Sequence, residues 1–121
     1  MGQRILIDTI ARTATNNSSD QNRTVTGGAA HVIINMLAVP GTDTVTFALQ
    51  GKDAKGNYYT ILSSAAIVAV SQVVLKVGIG MLAAANTVAN DCLPDTWRIL
   101  CTHSAGSSFQ YNVCVNDLTL N

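Results

Sequence analysis

The sequence predicts an all-β, single-domain antiparallel β-sandwich, with a jelly roll as one form of it, and three observations carry that expectation. Thr, Val and Ile make up more than a quarter of the 121 residues, while every acidic side chain is Asp and none is Glu. That composition favours strands over amphipathic helices, whose wet faces use Glu, Lys and Arg. Several segments alternate apolar and polar residues with the period of two that a half-buried strand requires. These segments recur at short, fairly regular spacing with turn residues between them, and the crossover helices of a parallel sheet are missing.

Taken in order, Arg4 to Thr15 opens with Ile5-Leu6-Ile7 and reads as an extended arm or strand. Asn16 to Gly28 is polar, ends in Gly27-Gly28 and reads as a long loop. Residues 1–28 are thus set apart as arm and polar loop, and 29–121 as the sandwich. His31 to Val39 is apolar except at Asn35 after its first residue, a strand expected to be buried on both faces and stopped by Pro40-Gly41. The clearest hairpin is Asp43 to Leu62: Val45, Phe47 and Leu49 alternate with Thr44, Thr46, Ala48 and Gln50, and Gly51 to Asn57 returns the chain to Tyr58, with Gly56-Asn57 supplying positive φ. Ser63 to Val70 is ambiguous between strand and short buried helix, its β-branched content favouring strand. Gln72 to Ile79 is a strand. Met81 to Ala89, rich in Leu and Ala, is expected to form one short helical turn or a crossing loop. Thr96 to His103 points Trp97, Ile99 and Cys101 inward. After a hairpin loop at Ser104 to Ser108, Phe109, Tyr111, Val113 and Val115 face the core. On this parity Cys101 and Cys114 point to opposite faces and do not pair.

Charge narrows the function classes. The formal net charge is zero, and charged residues are 12% of the chain. No run of Lys or Arg exists to drive nucleic-acid binding by counterion release or to hold an anionic membrane. A weakly charged surface suits burial in an assembly. Three cysteines leave at least one unpaired, which suits a reducing site of synthesis. The first fifteen residues lack the pattern of a signal peptide, and the sequons at Asn16, Asn17 and Asn22 read as chance matches. Ile61 to Ala85 is apolar with the single charge Lys76, but Ser63, Ser64, Ser71 and Gln72 divide it into pieces too short to span a bilayer.

Candidate chemistry is sparse. Gly51 and Gly56 have phosphate-loop spacing, but Asn57-Tyr58 stand where Lys and Ser or Thr are required. Cys92, Cys101, Cys114, His31 and His103 lack the paired-thiol spacing of a zinc site. No nucleophile elbow marks a serine, and Asp43, Asp53, Asp91 and Asp95 fall at turns. The expectation is therefore no enzyme, no metal and no cofactor. Tyr58-Tyr59 are neighbours on a strand, so one of them must be exposed, a residue type suited to protein contact or to stacking on a sugar.

From Ala38 to Ile67 (AVPGTDTVTFALQGKDAKGNYYTILSSAAI) and from Ala83 to His103 (AAANTVANDCLPDTWRILCTH) the chain resembles the head decoration, or capsid cement, proteins of tailed bacteriophages. The likeness spans Val32 to Val115 and is carried by turn and strand residues. It implies a β-sandwich, a homotrimer on the capsid surface of the virion, synthesised in the host cytoplasm, that clamps neighbouring copies of the major capsid protein. Nucleic acid and membrane are not expected partners. On that reading Ile5, Leu6, Ile7 and Ile10 extend over a capsid subunit or pair with a neighbouring sheet edge, and Tyr58 and Tyr59 make protein contacts. The alternatives are a carbohydrate-binding or host-attachment module using Tyr58 and Tyr59, and a tail or neck structural protein.

Overall fold

A computed structural model of the chain describes residues 3–22 and 28–118. Its strands are β1 (Gln3–Arg12), β2 (Asn16–Asn17), β3 (Gln21–Asn22), β4 (Ala29–Ala38), β5 (Val45–Lys52), β6 (Tyr58–Ser63), β7 (Ser71–Val77), β8 (Val88–Ala89), β9 (Thr96–His103) and β10 (Phe109–Leu118). The chain is all-β, and its pairings are those of one long antiparallel ribbon rolled up on itself. Strand β1 pairs with β10, β2 and β3 with β9, β4 with β7, and β5 with β6. Joining these pairs through β10·β4 and β9·β5 gives two sheets, β1-β10-β4-β7-β8 and β2-β9-β5-β6, with β3 also on β9. This is the strand order of a jelly roll.

The core lies where the alternation places it. Val32, Ile34 and Met36 from β4, and Phe109, Tyr111, Val113 and Val115 from β10, line one sheet; Val45, Phe47, Leu49, Trp97, Ile99 and Cys101 line the other. The Phe47 ring meets Tyr111 edge-on across the sandwich, with centroids 5.1 Å apart. Each such buried apolar side chain contributes about 1.5–3 kcal/mol. Asp117 continues the inward parity of β10 and is buried, its carboxylate ion-paired with Arg4. In the β5–β6 hairpin, Asp53 Oδ1 accepts from the amides of Lys55 and Asn57, both at 2.9 Å, and Gly56 takes φ 88°.

Five expectations need correcting. Residues 104–108 do not close a hairpin: β9 and β10 belong to different sheets, and the loop crosses the sandwich. Periodicity locates strands but does not choose their partners, and five residues readily bridge sheets about 10 Å apart. The helical turn near 81–89 is absent. Asn86 takes φ 63°, which no right-handed helix accommodates, and the segment instead turns tightly, the amides of Thr87 and Val88 donating to the Ala84 carbonyl. Residues 64–70 form no strand; Ile67 alone bridges to Val45. The polar segment from Asn16 contributes β2 and β3. Strand β4 is buried on the face of Val32, Ile34 and Met36 only, since His31, Ile33 and Asn35 on the other face are half-buried.

Two serines complete the ends of the short pairings. The Ser18 amide donates to the Ile99 carbonyl, while its hydroxyl accepts from the Ile99 amide, each at 2.9 Å. Ser64 does the same to Phe47, at 2.8 and 3.0 Å. Each hydroxyl then donates to the carbonyl of the following residue. A side-chain oxygen thus replaces a ladder carbonyl, so the N–H of a buried core residue keeps its partner.

Candidate functional site

A rolled ribbon leaves two flanks between its sheets, one where β1 faces β2 and β3, the other where β6 faces β7 and β8. The first flank is closed by polar contacts. Arg4 pairs with Asp117, donates from Nε to Gln21 Oε1 at 2.9 Å, and lies 5.8 Å over the Trp97 ring. Asn16 Nδ2 donates to the Tyr111 hydroxyl at 2.8 Å, and His103 Nε2 meets that hydroxyl at 2.8 Å. Thr15 Oγ1 accepts from the His103 amide at 3.1 Å.

The second flank is covered by residues 64–70 and 78–87, which are apolar and wet. Val68 and Val70 are each 65% exposed, Ile79 59% and Leu82 92%. Ala65, Ala66, Ala69 and Ala83 to Ala85 are exposed beside them. The two connections meet at one place: a shallow hollow of about 340 Å³ is lined by residues 65–69 with Ser71 and Val73 and, from the second connection, Thr87. Met81 folds back over Gly78, where a Cβ would lie 2.8 Å from its methyl carbon and would push that tip aside. Between positions 61 and 87 the chain carries one charge, Lys76.

The residues expected to form the site do not gather in one place. Ile7 is in the core and Leu6 packs against it, while Ile5 and Ile10 are 61% and 54% exposed along the β1 edge. Tyr58 and Tyr59 lie on β6, at the far edge of the other sheet. The Arg98 guanidinium covers the Tyr58 ring at 3.5 Å, and the Tyr58 hydroxyl donates to Asp20 at 2.7 Å. Asp20 also pairs with Lys52 at 2.9 Å, and its hydrogen bonds to Lys52 and Tyr58 hold its carboxyl below the usual range. Tyr58 is thereby occupied within its own cluster. Tyr59 lies across Gly51 against Pro94, in space that only a glycine leaves open: a Cβ at Gly51 would meet the Tyr59 ring at 2.6 Å and Pro94 at 2.9 Å.

Strand addition finds little purchase. Two register shifts interrupt β1, one interrupts the β5·β6 pair, and β2, β3 and β8 are two residues long. Bulges and short strands are devices that keep a sheet edge from pairing with another chain. The outer face of the first sheet is likewise spoken for, since Gln72 donates to Asn35, Asn35 to Asn112 and Asn112 to Thr9 Oγ1, one direction across four strands at 2.8–2.9 Å.

The titratable groups have structural surroundings. Burial pushes the Cys101 thiol up to about 12, so it is not a thiolate at neutral pH. Cys114 lies on the outer face of the other sheet. Among the described residues, no three His, Cys or Asp side chains stand close enough to share a metal ion, and no helix is long and apolar enough to cross a membrane. The oily flank was not identified as a site from sequence, yet its signal was there in the nearly uncharged run from Ile61 to Ala85. No protein-family model, curated protein or solved structure matches the chain.

Proposed function

We propose that this chain is a structural protein of a tailed-bacteriophage virion, a capsid decoration protein that docks on the major capsid protein through the flank formed by residues 64–70 and 78–87. The observation that supports this reading is the set of large aliphatic side chains left in water there, Val68, Val70, Ile79 and Leu82, with one charge in the surrounding chain. An exposed apolar patch of this kind marks a surface meant to be covered. The jelly roll is compatible, being common in capsid domains, although the fold alone assigns no activity.

Magnitudes constrain the mode of action. Covering four aliphatic side chains of this exposure yields roughly 5–10 kcal/mol. Association itself costs about 4–15 kcal/mol. A single flank is therefore a weak anchor, and firm attachment calls for several copies acting together, as in a homotrimer seated on a repeating shell. The interrupted edges favour attachment by side chains over strand addition, so β1 serves the domain's own sheet in this reading. Tyr58, with Arg98 on its ring, lends no support to a sugar site.

The test is co-sedimentation of purified protein with empty phage heads. Wild type is expected to saturate the shell at a fixed ratio to the capsid subunit. A Val68→Asp, Leu82→Asp double variant is expected to lose attachment while keeping its thermal transition, and Ile10→Asp is expected to retain attachment. Undiminished attachment of the double variant would remove the proposal.

A further inference from the structure

The crossing from β1 to β2 is held at one point where both sheets meet. The Tyr111 hydroxyl, on β10, accepts from Asn16 Nδ2 at 2.8 Å and lies 2.8 Å from His103 Nε2. The buried Cys101 thiol is also near it. A phenol has one hydrogen to give and two lone pairs to fill. Asn16 fills one lone pair, and the contact with His103 takes either the other lone pair or the hydrogen, according to the tautomer. In both neutral tautomers Nε2 serves the Tyr111 hydroxyl and Nδ1 faces no partner. His103 Nδ1 is buried without a partner, and so is Nε of Arg12. The Phe109 ring stands edge-on to the imidazole, with centroids 5.1 Å apart. The charged and titratable groups around His103 are Arg12 from β1, Tyr111 from β10 and Cys101 from its own strand, while β5 faces it with Val45.

We propose that the Asn16–Tyr111–His103 junction is an acid-sensitive latch, which holds the β1–β2 crossing to the end of the sandwich and releases it when His103 becomes an imidazolium. Whichever nitrogen holds the hydrogen in the neutral ring, the imidazolium carries one on Nδ1, a buried atom with no acceptor, and brings a positive charge near the Arg12 guanidinium. Turning out to water gives that hydrogen a partner, and turning out breaks the ring's bond to Tyr111. Desolvation and then Arg12 lower the pKa of His103 in the closed state, in keeping with this geometry. The crossing responds because Thr15 accepts from the His103 amide and Asn16 shares the same hydroxyl. The inference is independent of what covers the oily flank.

Amide hydrogen exchange of residues 12–18, corrected for intrinsic rates, tests the latch at about pH 7.5 and about pH 5, on either side of the ordinary histidine value. Exchange in that segment is expected to rise several-fold relative to β4 and β5 as the pH falls, because the open form takes up the proton more readily than the closed one. His103→Gln stays neutral and can still donate to Tyr111, so it is expected to abolish the rise. His31→Gln is expected to keep it. Tyr111→Phe is expected to loosen the segment at both pH values. An equal rise in His103→Gln, or no rise confined to the crossing in wild type, overturns the latch. Should His103→Gln fail to fold, the imidazole titration of the wild-type protein decides: a midpoint at or above 6.5, the ordinary value, overturns it equally.

Discussion

The two flanks of the roll face the same problem, a gap between sheets where strands run out, and they meet it with opposite chemistry. Along the β1 flank, Arg4, Asn16, Gln21 and Asp117 bind one another or the sheet opposite, so charged and amide groups close the gap from within. Along the β6–β8 flank, Leu82 and Val68 cover the gap and then stand in water themselves. A polar closure holds itself, because Arg4, Asn16 and Gln21 find their partners within the domain. An aliphatic one is finished only when something else lies on it. The difference teaches where stability and where association should reside, and substitutions at either side can break that division.

The largest effect is expected from removing residues 1–12. This takes Ile7 from the core and the guanidinium from a buried carboxylate, and the cooperative thermal transition should be lost. Arg4→Met isolates the second part. Removing one partner of a buried ion pair costs about 3–5 kcal/mol, and the partial exposure of Arg4 puts the expected loss near the lower figure, read by urea denaturation.

Ser18→Ala and Ser64→Ala come next and set the flanks side by side. Each leaves the N–H of a buried residue, Ile99 or Phe47, without its acceptor, at about 1–3 kcal/mol. Equal losses would show that the backbone ends are finished alike and that only the side chains distinguish the flanks.

Acidification acts on both histidines. Burial first, and then Lys76, lowers the pKa of His31; burial first, and then Arg12, lowers that of His103. With folded values below the ordinary 6.5, the unfolded chain binds more protons as the solution is acidified. Stability is thus whole above about pH 6.5, falls as pH drops below it, and levels off beneath the folded values; midpoint denaturation at a series of pH values checks the sign. The smallest effect on stability is expected at the oily flank itself: Leu82→Lys and Val70→Lys should shift the unfolding free energy by no more than about 0.5 kcal/mol, while lowering self-association measured by light scattering.

Much of the fold was legible because it depends on period. Val45, Phe47 and Leu49 announce their buried face, as do Trp97, Ile99 and Cys101, and one rule of alternation finds them all. What escaped depends on partners distant in the chain. Nothing near Ser104 to Ser108 tells whether β9 and β10 pair or part, since that is settled by β4 and β5 competing for them. Asp117 sits on an inward parity where a carboxylate is costly, and its acceptability comes from Arg4 at the other end of the sequence. His103 was weighed as a zinc ligand and set aside; its imidazole meets Tyr111. The arm residues were read as a unit, but the two register shifts in β1 turn Ile7 inward and leave Ile5 and Ile10 outside. The apolar run of Ile61 to Ala85 was visible and was weighed only as a membrane span. Its meaning lay in the third dimension, where the first connection crosses between the sheets and meets the second at Thr87.

The antiparallel match of β1 with β10 places Gln3 beside Asn116. Tension applied at these two neighbouring points would load the rungs between the strands one after another, as in opening a zipper, instead of all at once. The domain should therefore yield to a gentle pull between its ends, yet resist far better when gripped at one end and at the opposite pole of the roll.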